Sequence, residues 1–232
     1  VDEATPKHGY HHGDLRRALC VAGYELARHG GLHAVTLREA TRRAGVTAAA
    51  AYRHFSGLDD LLLAVAHLGL GDLARSIERR QGLVAETEQV PQAVALLEAV
   101  GLGYIDFARA EPGAFETALS GLATMEHADD ADSTGDSGRT PYQLLTDAIG
   151  RLVAIGALPP ERAEPAAVLC WSTVHGFATL AVRGPIRTYP AATLDALADE
   201  LVRGVVTGVL DQESSLDQNR RPSGSSSPRS AS

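Results

Sequence analysis

Two cysteines in 232 residues, Cys20 and Cys170, are too few and too far apart in sequence for a disulfide framework. Each lies in an apolar helical pattern, which fits a reduced, buried thiol. The chain also lacks a long unbroken apolar run. Its most apolar stretch, Ala166 to Val182, is interrupted by Ser172, Thr173, His175 and Gly176, the pattern of a buried helix rather than a membrane span. No charged-then-apolar leader opens the sequence, so the expected location is cytoplasmic. No sequence period recurs, which excludes a repeat architecture, and no segment alternates apolar and polar residues as a half-buried strand does.

What is present is helix after helix. Hydrophobic residues make up 44% of the chain, enough for real cores in one small and one larger domain. An arm to about His12 leads into a first helix with Leu15, Leu19, Ala22 and Leu26 at helical spacing. From Thr36 to Leu62 the chain reads TLREATRRAGVTAAAAYRHFSGLDDLL, two short helical patterns pinched together at Gly45. Thr36 with Glu39 three residues on is a capping box, and Leu37, Ala40, Thr41 and Ala44 give the helix it opens one weakly apolar face. Gly45 supplies the left-handed backbone of a sharp turn, Val46 plugs the angle between the helices, and Thr47 caps a second helix through Tyr52 to Phe55. That chemistry is a helix-turn-helix, whose second helix enters the major groove of DNA.

The reading helix would begin Thr47, Ala48, Ala49, Ala50, Ala51. Alanines offer bases no hydrogen bond, so they are confined to packing on thymine methyls at close approach. Hydrogen-bonded readout falls to Thr47, Arg53 and Arg38, with Tyr52 and His54 better placed for phosphates. Overall the chain lacks the basic excess of a DNA binder, with 21 Lys and Arg against 29 acids. Divided, the balance makes sense. Residues 1–57 hold 8 basic and 5 acidic residues, a net of +3, while the remainder holds 13 and 24, a net of −11. Positive surface is thus confined to the segment that would meet phosphate. His8, His11 and His12 lack the partner ligands of a metal site and read as part of a phosphate-facing arm, so no metal is expected.

At these residues the sequence becomes specific. AGVTAAAAYRHFSGLDDLL resembles the signature of TetR/AcrR transcriptional regulators, and YHHGDLRRALCVAGYELARHGG is similar to that family's first helix. CWSTVHGFATL, with Trp171, His175 and Gly176, is similar to the Trp-His-Gly motif that names one C-terminal branch. The resemblance covers roughly residues 8–210. It implies an all-α fold of about nine helices: a three-helix head with its arm at 1–57, a connector helix opening a helical body at 58–210, and a tail at 211–232. It also implies a double-stranded DNA operator, a small-molecule effector, a homodimer built from the last two helices of each subunit, and no cofactor. Arg38 aligns with a position from which an arginine reaches a base edge, and Arg16 and Thr36 join the expected DNA contacts. Two departures stand out: Leu58 replaces a usual Lys that meets a phosphate, and Ala51 replaces a larger apolar residue or Pro.

Ser56 and Asp59 are expected to cap the connector, which continues through Leu62, Val65, Leu73 and Ile77. Five body helices follow at Pro91–Ala110, Pro112–Leu122, Pro141–Ile155, Glu161–Val182 and Thr193–Leu210, punctuated by Pro at or near their starts. The segment 127–139 is acidic and Ser/Gly-rich, the tail from Gln212 has the composition of a disordered chain, and neither is expected to carry the main function. Thr193 caps the last helix, which carries Leu194, Leu197, Leu201, Val205 and Val209 on one side. Gly204 and Gly208 make a small-residue face for a close helix neighbour, so Leu197, Leu201, Gly204, Val205 and Gly208 are the expected dimer residues. Trp171, His175 and Thr179 fall at i, i+4 and i+8, with Tyr104, Phe107, Phe115, Met125 and Tyr142 as candidate opposing walls of an effector pocket; the same mixture also lines cores. Three other readings stand beside a ligand-released repressor: an activator or ligand-independent regulator, an enzyme using Cys170 and His175, and an interaction protein without DNA binding. The enzyme fits worst, because those two residues are poorly placed as nucleophile and base and lack a carboxylate partner.

Overall fold

The computed structural model of the chain describes residues 12–120 and 130–220, and within them nine α-helices and no strand. The head comprises α1 (His12–Gly30), α2 (Leu37–Ala44) and α3 (Ala48–Ala51). Leu19, Ala27, Val35, Ala40, Ala51 and Phe55 fill its core, none more than 2% exposed. Leu15 and Leu26, on the expected stripe of α1, pack partly buried against it.

The connector α4 (Leu58–Gln81) runs from head into body. Its start differs from the expected Ser56 and Asp59 cap. Gly57 takes the cap position without a side-chain bond, and Asp60 reaches back to accept from the Ser56 N–H at 3.0 Å. Ser56 stands one residue too early to cap, whereas Asp60, in the third helical position, lies within reach of the preceding amide.

The body holds α5 (Gln89–Ala110), α6 (Pro112–Ser120), α7 (Pro141–Ala154), α8 (Ala163–Val182) and α9 (Ala191–Arg220). α5 begins two residues before Pro91, leaving the proline in the first turn, where its missing N–H is not needed. α7 has a complete capping box between Thr140 and Gln143. Thr193 does not cap α9: its N–H already bonds to the Pro190 carbonyl at 3.0 Å, inside the first turn. The same helix runs past Leu210 to Arg220, taking in residues whose composition reads as tail.

Two helices, Gln89–Ala110 and Pro160–Val182, are long and apolar enough to cross a membrane; both pack into the shared core. α4 is central to that packing. It crosses α5 at Gly103, where an added Cβ would lie 2.6 Å from the Ile77 Cα, so only glycine allows the two backbones so near. Arg80 then ties α4 to Asp106 of α5 through bonds of 2.5 and 3.1 Å.

Candidate nucleic-acid interface and internal cavity

The turn of the helix-turn-helix forms as its residues require. Gly45 adopts φ 68°, ψ 30°, and the Val46 N–H bonds to the Thr41 carbonyl at 3.0 Å. The Thr36 hydroxyl accepts from the Glu39 N–H at 3.1 Å, and that of Thr47 from the Ala50 N–H at 3.2 Å. The capping box at Thr36 is only half formed. The Glu39 carboxylate is held instead by Arg42 at 2.5 to 3.0 Å, a forked charge-assisted pairing one turn along the same helix. Those hydrogen bonds keep the Glu39 carboxyl below its ordinary range.

α3 is a single turn, shorter than the pattern to Phe55 predicts. Beyond it Tyr52 and Phe55 continue in hydrogen-bonded turns to Ala48 and Ala51. Ala48 and Ala49 face outward, but Ala50 and Ala51 are 8% and 1% exposed. So short a helix has one inner and one outer side, and Ala50 lies on the inner one, out of reach of base edges. Thr47, Tyr52 and Arg53 are exposed and His54 is half-buried. Arg38 is exposed on α2, beside the cap at Thr36. Arg16, also exposed, stacks its guanidinium 4.6 Å above the Phe55 ring centroid, fixing its direction from beneath. Leu58 opens α4 at 38% exposed.

The body encloses an apolar cavity of about 70 Å³. α4 contributes Leu70, Leu73 and Ile77 to its wall, α5 contributes Leu97 and Tyr104, and α7 contributes Tyr142 and Leu145. Cys170, Trp171 and Val174 of α8 and Val202, Val205 and Val206 of α9 complete most of the remainder. Of the eight side chains expected there, Tyr104, Tyr142 and Trp171 border the space directly. His175 and Phe115 stand behind them. The His175 Nδ1 meets the Tyr104 hydroxyl at 3.0 Å, and Phe115 lies edge-on to the Tyr104 ring at 5.7 Å. Phe107 is buried in the core but does not border the cavity, and Met125 lies outside the described residues.

Thr179 is a correction. It is exposed, because eight residues along a 3.6-residue helix turn the side chain about 80° away from Trp171. The wall of α4 was missed in the sequence, although Leu70, Leu73 and Ile77 repeat at i, i+3 and i+7 and could have marked it. Burial pushes the Cys170 thiol up to about 11 and raises the Tyr104 hydroxyl, a Trp171 hydrogen bond acting the other way on the tyrosine. Both stay protonated at neutral pH. With Tyr104 on its Nδ1, His175 is not arranged as a base for Cys170.

The connector links this cavity to the head. Gly23 of α1 abuts Val65 and Leu61 of α4, and the Tyr24 hydroxyl donates to Asp72. Arg28 of α1 donates twice to Glu111, at 2.9 and 2.5 Å, where α5 passes into α6. On another side of α4 lies part of the acidic, Ser/Gly-rich segment. Residues 130–139 fold onto the helix: Gly71 admits the Asp132 carbonyl, Arg75 donates to that of Thr134 at 3.4 Å, and the Glu78 carboxylate accepts from the Asp136 and Ser137 amides at 2.8 and 3.0 Å. Backbone donors aimed at one carboxylate order a segment that has few apolar side chains of its own. His67 packs beneath it, Nδ1 3.6 Å from Asp130.

α9 buries Leu194, Ala198, Val202, Val206 and Val209 within the chain. The expected stripe through Leu197, Leu201 and Val205 is therefore displaced. Leu197 is 37% exposed, Leu201 and Val205 are half-buried, and a Cβ on Gly204 or Gly208 would meet nothing within 4 Å. The outer side of α8 is similar, with Leu169 and Leu180 exposed and Gly176 open.

A helix-turn-helix head on an all-helical body is the architecture of a DNA-binding regulator. Residues 19–65 match the model described as bacterial regulatory proteins, tetR family, and residues 97–205 match that of the tetracyclin repressor-like C-terminal domain. The chain is a DNA-binding transcriptional regulator of the TetR family, a class that is not enzymatic. Similar solved structures include a protein with unknown function from Rhodococcus sp. RHA1, at 27% identity and TM-score 0.63, covering 85% of this chain and 98% of that one. A TetR variant from Acinetobacter baumannii AYE, in complex with minocycline, shares the fold at 17% identity and TM-score 0.58, over 86% and 96% of the two chains. So does the putative transcriptional regulator from Pseudomonas aeruginosa PAO1, at 17% and 0.57, over 85% and 92%. A comparison with curated protein sequences finds no match.

Proposed function

We propose that the protein is a cytoplasmic, homodimeric repressor that leaves an inverted-repeat operator when a small apolar or amphipathic effector enters the body cavity. The observation that carries this reading is the double duty of α4, whose residues Leu61 and Val65 pack on the head while Leu70, Leu73 and Ile77 wall the cavity. A second path runs through α6: Leu119 borders the cavity, and Gly113 lies so near α1 that a Cβ there would collide with the Ala27 carbonyl oxygen. A ligand that prefers one position of these helices biases the spacing of the heads. An effector preference of about 1–3 kcal/mol between the two states changes operator affinity roughly 5- to 150-fold.

In this reading residues 1–57 read DNA and residues 58–210 sense and dimerise. Arg38 is the leading base contact, with Thr47, Ala48, Ala49 and Arg53 beside it, and Arg16, Thr36, Tyr52 and His54 set position on the phosphates. The exposed sides of α8 and α9, with Gly176, Gly204 and Gly208 open, suit close approach of the same helices from a second copy. Two heads also meet a physical need, since one turn of alanines offers too little contact for operator affinity. Assignment to the Trp-His-Gly branch draws support from Trp171 at the cavity and His175 behind it, with Gly176 on the outer side.

Footprinting on an inverted repeat tests the DNA reading. Binding is expected to weaken steeply with salt, and Arg38→Ala to lose about 1–3 kcal/mol with relaxed specificity at one base pair per half-site. A uniform loss on every sequence would reduce Arg38 to a phosphate contact. Sedimentation of Gly204→Leu tests assembly: a variant that stays fully dimeric at micromolar concentration and binds DNA normally places the interface elsewhere.

A further inference from the structure

We propose that the cavity selects an uncharged effector, a largely hydrocarbon molecule carrying one hydroxyl or carbonyl that it presents to the Tyr104–His175 pair. The inference rests on the effector reading above and narrows it to a ligand class. No Lys, Arg, His, Asp or Glu side chain borders the cavity among the described residues. A carboxylate or ammonium entering it would give up water and find no opposite charge, the costliest kind of burial. Charge is therefore rejected by the wall itself.

The polar groups that do border the space are few, and they differ in readiness. The Thr140 hydroxyl already caps α7, accepting from the Gln143 N–H at 3.2 Å. Tyr142 is 38% exposed, so water serves its hydroxyl. Tyr104 is 5% exposed, its hydroxyl held by the His175 Nδ1 at 3.0 Å and by a hydrogen bond from Trp171, and its ring packed edge-on against Phe115. If the phenol donates to the imidazole, one lone pair of its oxygen takes the Trp171 N–H and the other is left for a ligand donor. If the imidazole donates instead, the phenol proton is left for a ligand acceptor. An alcohol satisfies either arrangement and a carbonyl the second. Burial holds the phenol neutral, so the pair adds no net negative charge that would welcome a cation.

Trp171 is the only tryptophan in the chain and borders the cavity, so its fluorescence reports occupancy. Full-length protein at pH 7 is titrated with cyclohexylmethanol, cyclohexanecarboxylate and cyclohexylmethylammonium, which share one ring and do not absorb where indole does. Methylcyclohexane supplies the hydrocarbon alone. The alcohol is expected to bind at least about 100-fold more tightly than either ion. It should exceed methylcyclohexane by about 3- to 10-fold, the worth of one net hydrogen bond. Tyr104→Phe should remove that smaller advantage while the rejection of both ions persists. Either ion binding as well as the alcohol overturns the proposal, and so does silence from all four compounds at their solubility limits. Operator affinity measured in the same samples separates the two readings: alcohol binding with unchanged operator affinity keeps the ligand class and removes the effector role.

Discussion

The two ends of α4 meet their surroundings in opposite ways. At the head, Leu61 and Val65 are fully buried, and an added Cβ on Gly23 of α1 would lie only 2.7 Å from Val65 Cγ2. At the body, Leu70, Leu73 and Ile77 border unfilled space. A close-packed contact moves as one piece, whereas a wall facing a void yields with little loss of contact. On the proposed reading, a ligand pushes the helix at its body end and the head is carried with it at the other.

Truncating each end in turn would break or sharpen this contrast. Leu61→Ala should cost about 3–5 kcal/mol in urea unfolding, while Leu73→Ala should cost about 2–3 kcal/mol, because its side chain already lacks partners on one side. Equal losses would erase the difference between the ends. A smaller effect is expected where residues 130–139 hold the body end from outside. Glu78→Ala removes the acceptor of two amides and of the Ser137 hydroxyl. It should cost about 1–2 kcal/mol, since water replaces part of what is lost, and should quicken proteolytic cleavage between Gly135 and Arg139. An unchanged cleavage rate would mean that the segment is held by something other than Glu78. The smallest stability change belongs to the head end, where Leu58→Lys should stay within about 0.5 kcal/mol of the parent. Its mark should be on DNA: the slope of log affinity against log salt should steepen by about 1 for each head that gains a phosphate contact. No change in slope would place Leu58 away from the backbone.

Legibility in the sequence followed the range of the forces involved. Gly45, Thr36 and Thr47 act on atoms within three or four residues, so turn and caps could be read from spacing alone. Even there competition intervened. Arg42 captured Glu39 from its capping role, and a one-turn α3 buried Ala50 while leaving Ala49 out. The candidate pocket was half legible. Tyr104, Tyr142 and Trp171 were found by residue type, but Thr179 was misplaced by extending a helical face two turns without its angular drift. The leucines of α4 were read as a mere connector because nothing local says that helix α9 faces them across a gap.

Composition says little where polar groups find distant partners. The acidic, Ser/Gly-rich 130–139 has few apolar side chains, and only the Glu78 carboxylate, more than fifty residues earlier, gives its amides a reason to order. On α9 the sequence marked an apolar side through Leu197, Leu201 and Val205, whereas the body buries Ala198, Val202 and Val206, about 100° around the helix. By itself, then, the sequence determined helices, caps, the αL turn at Gly45 and the reading head, since each depends on backbone hydrogen bonds and side chains close along the chain. The tertiary structure alone decided which face of α9 is buried, where the cavity opens, and that Tyr104 meets His175, 71 positions along the chain. Those outcomes depend on how six helices share one interior volume, a constraint that no single segment carries.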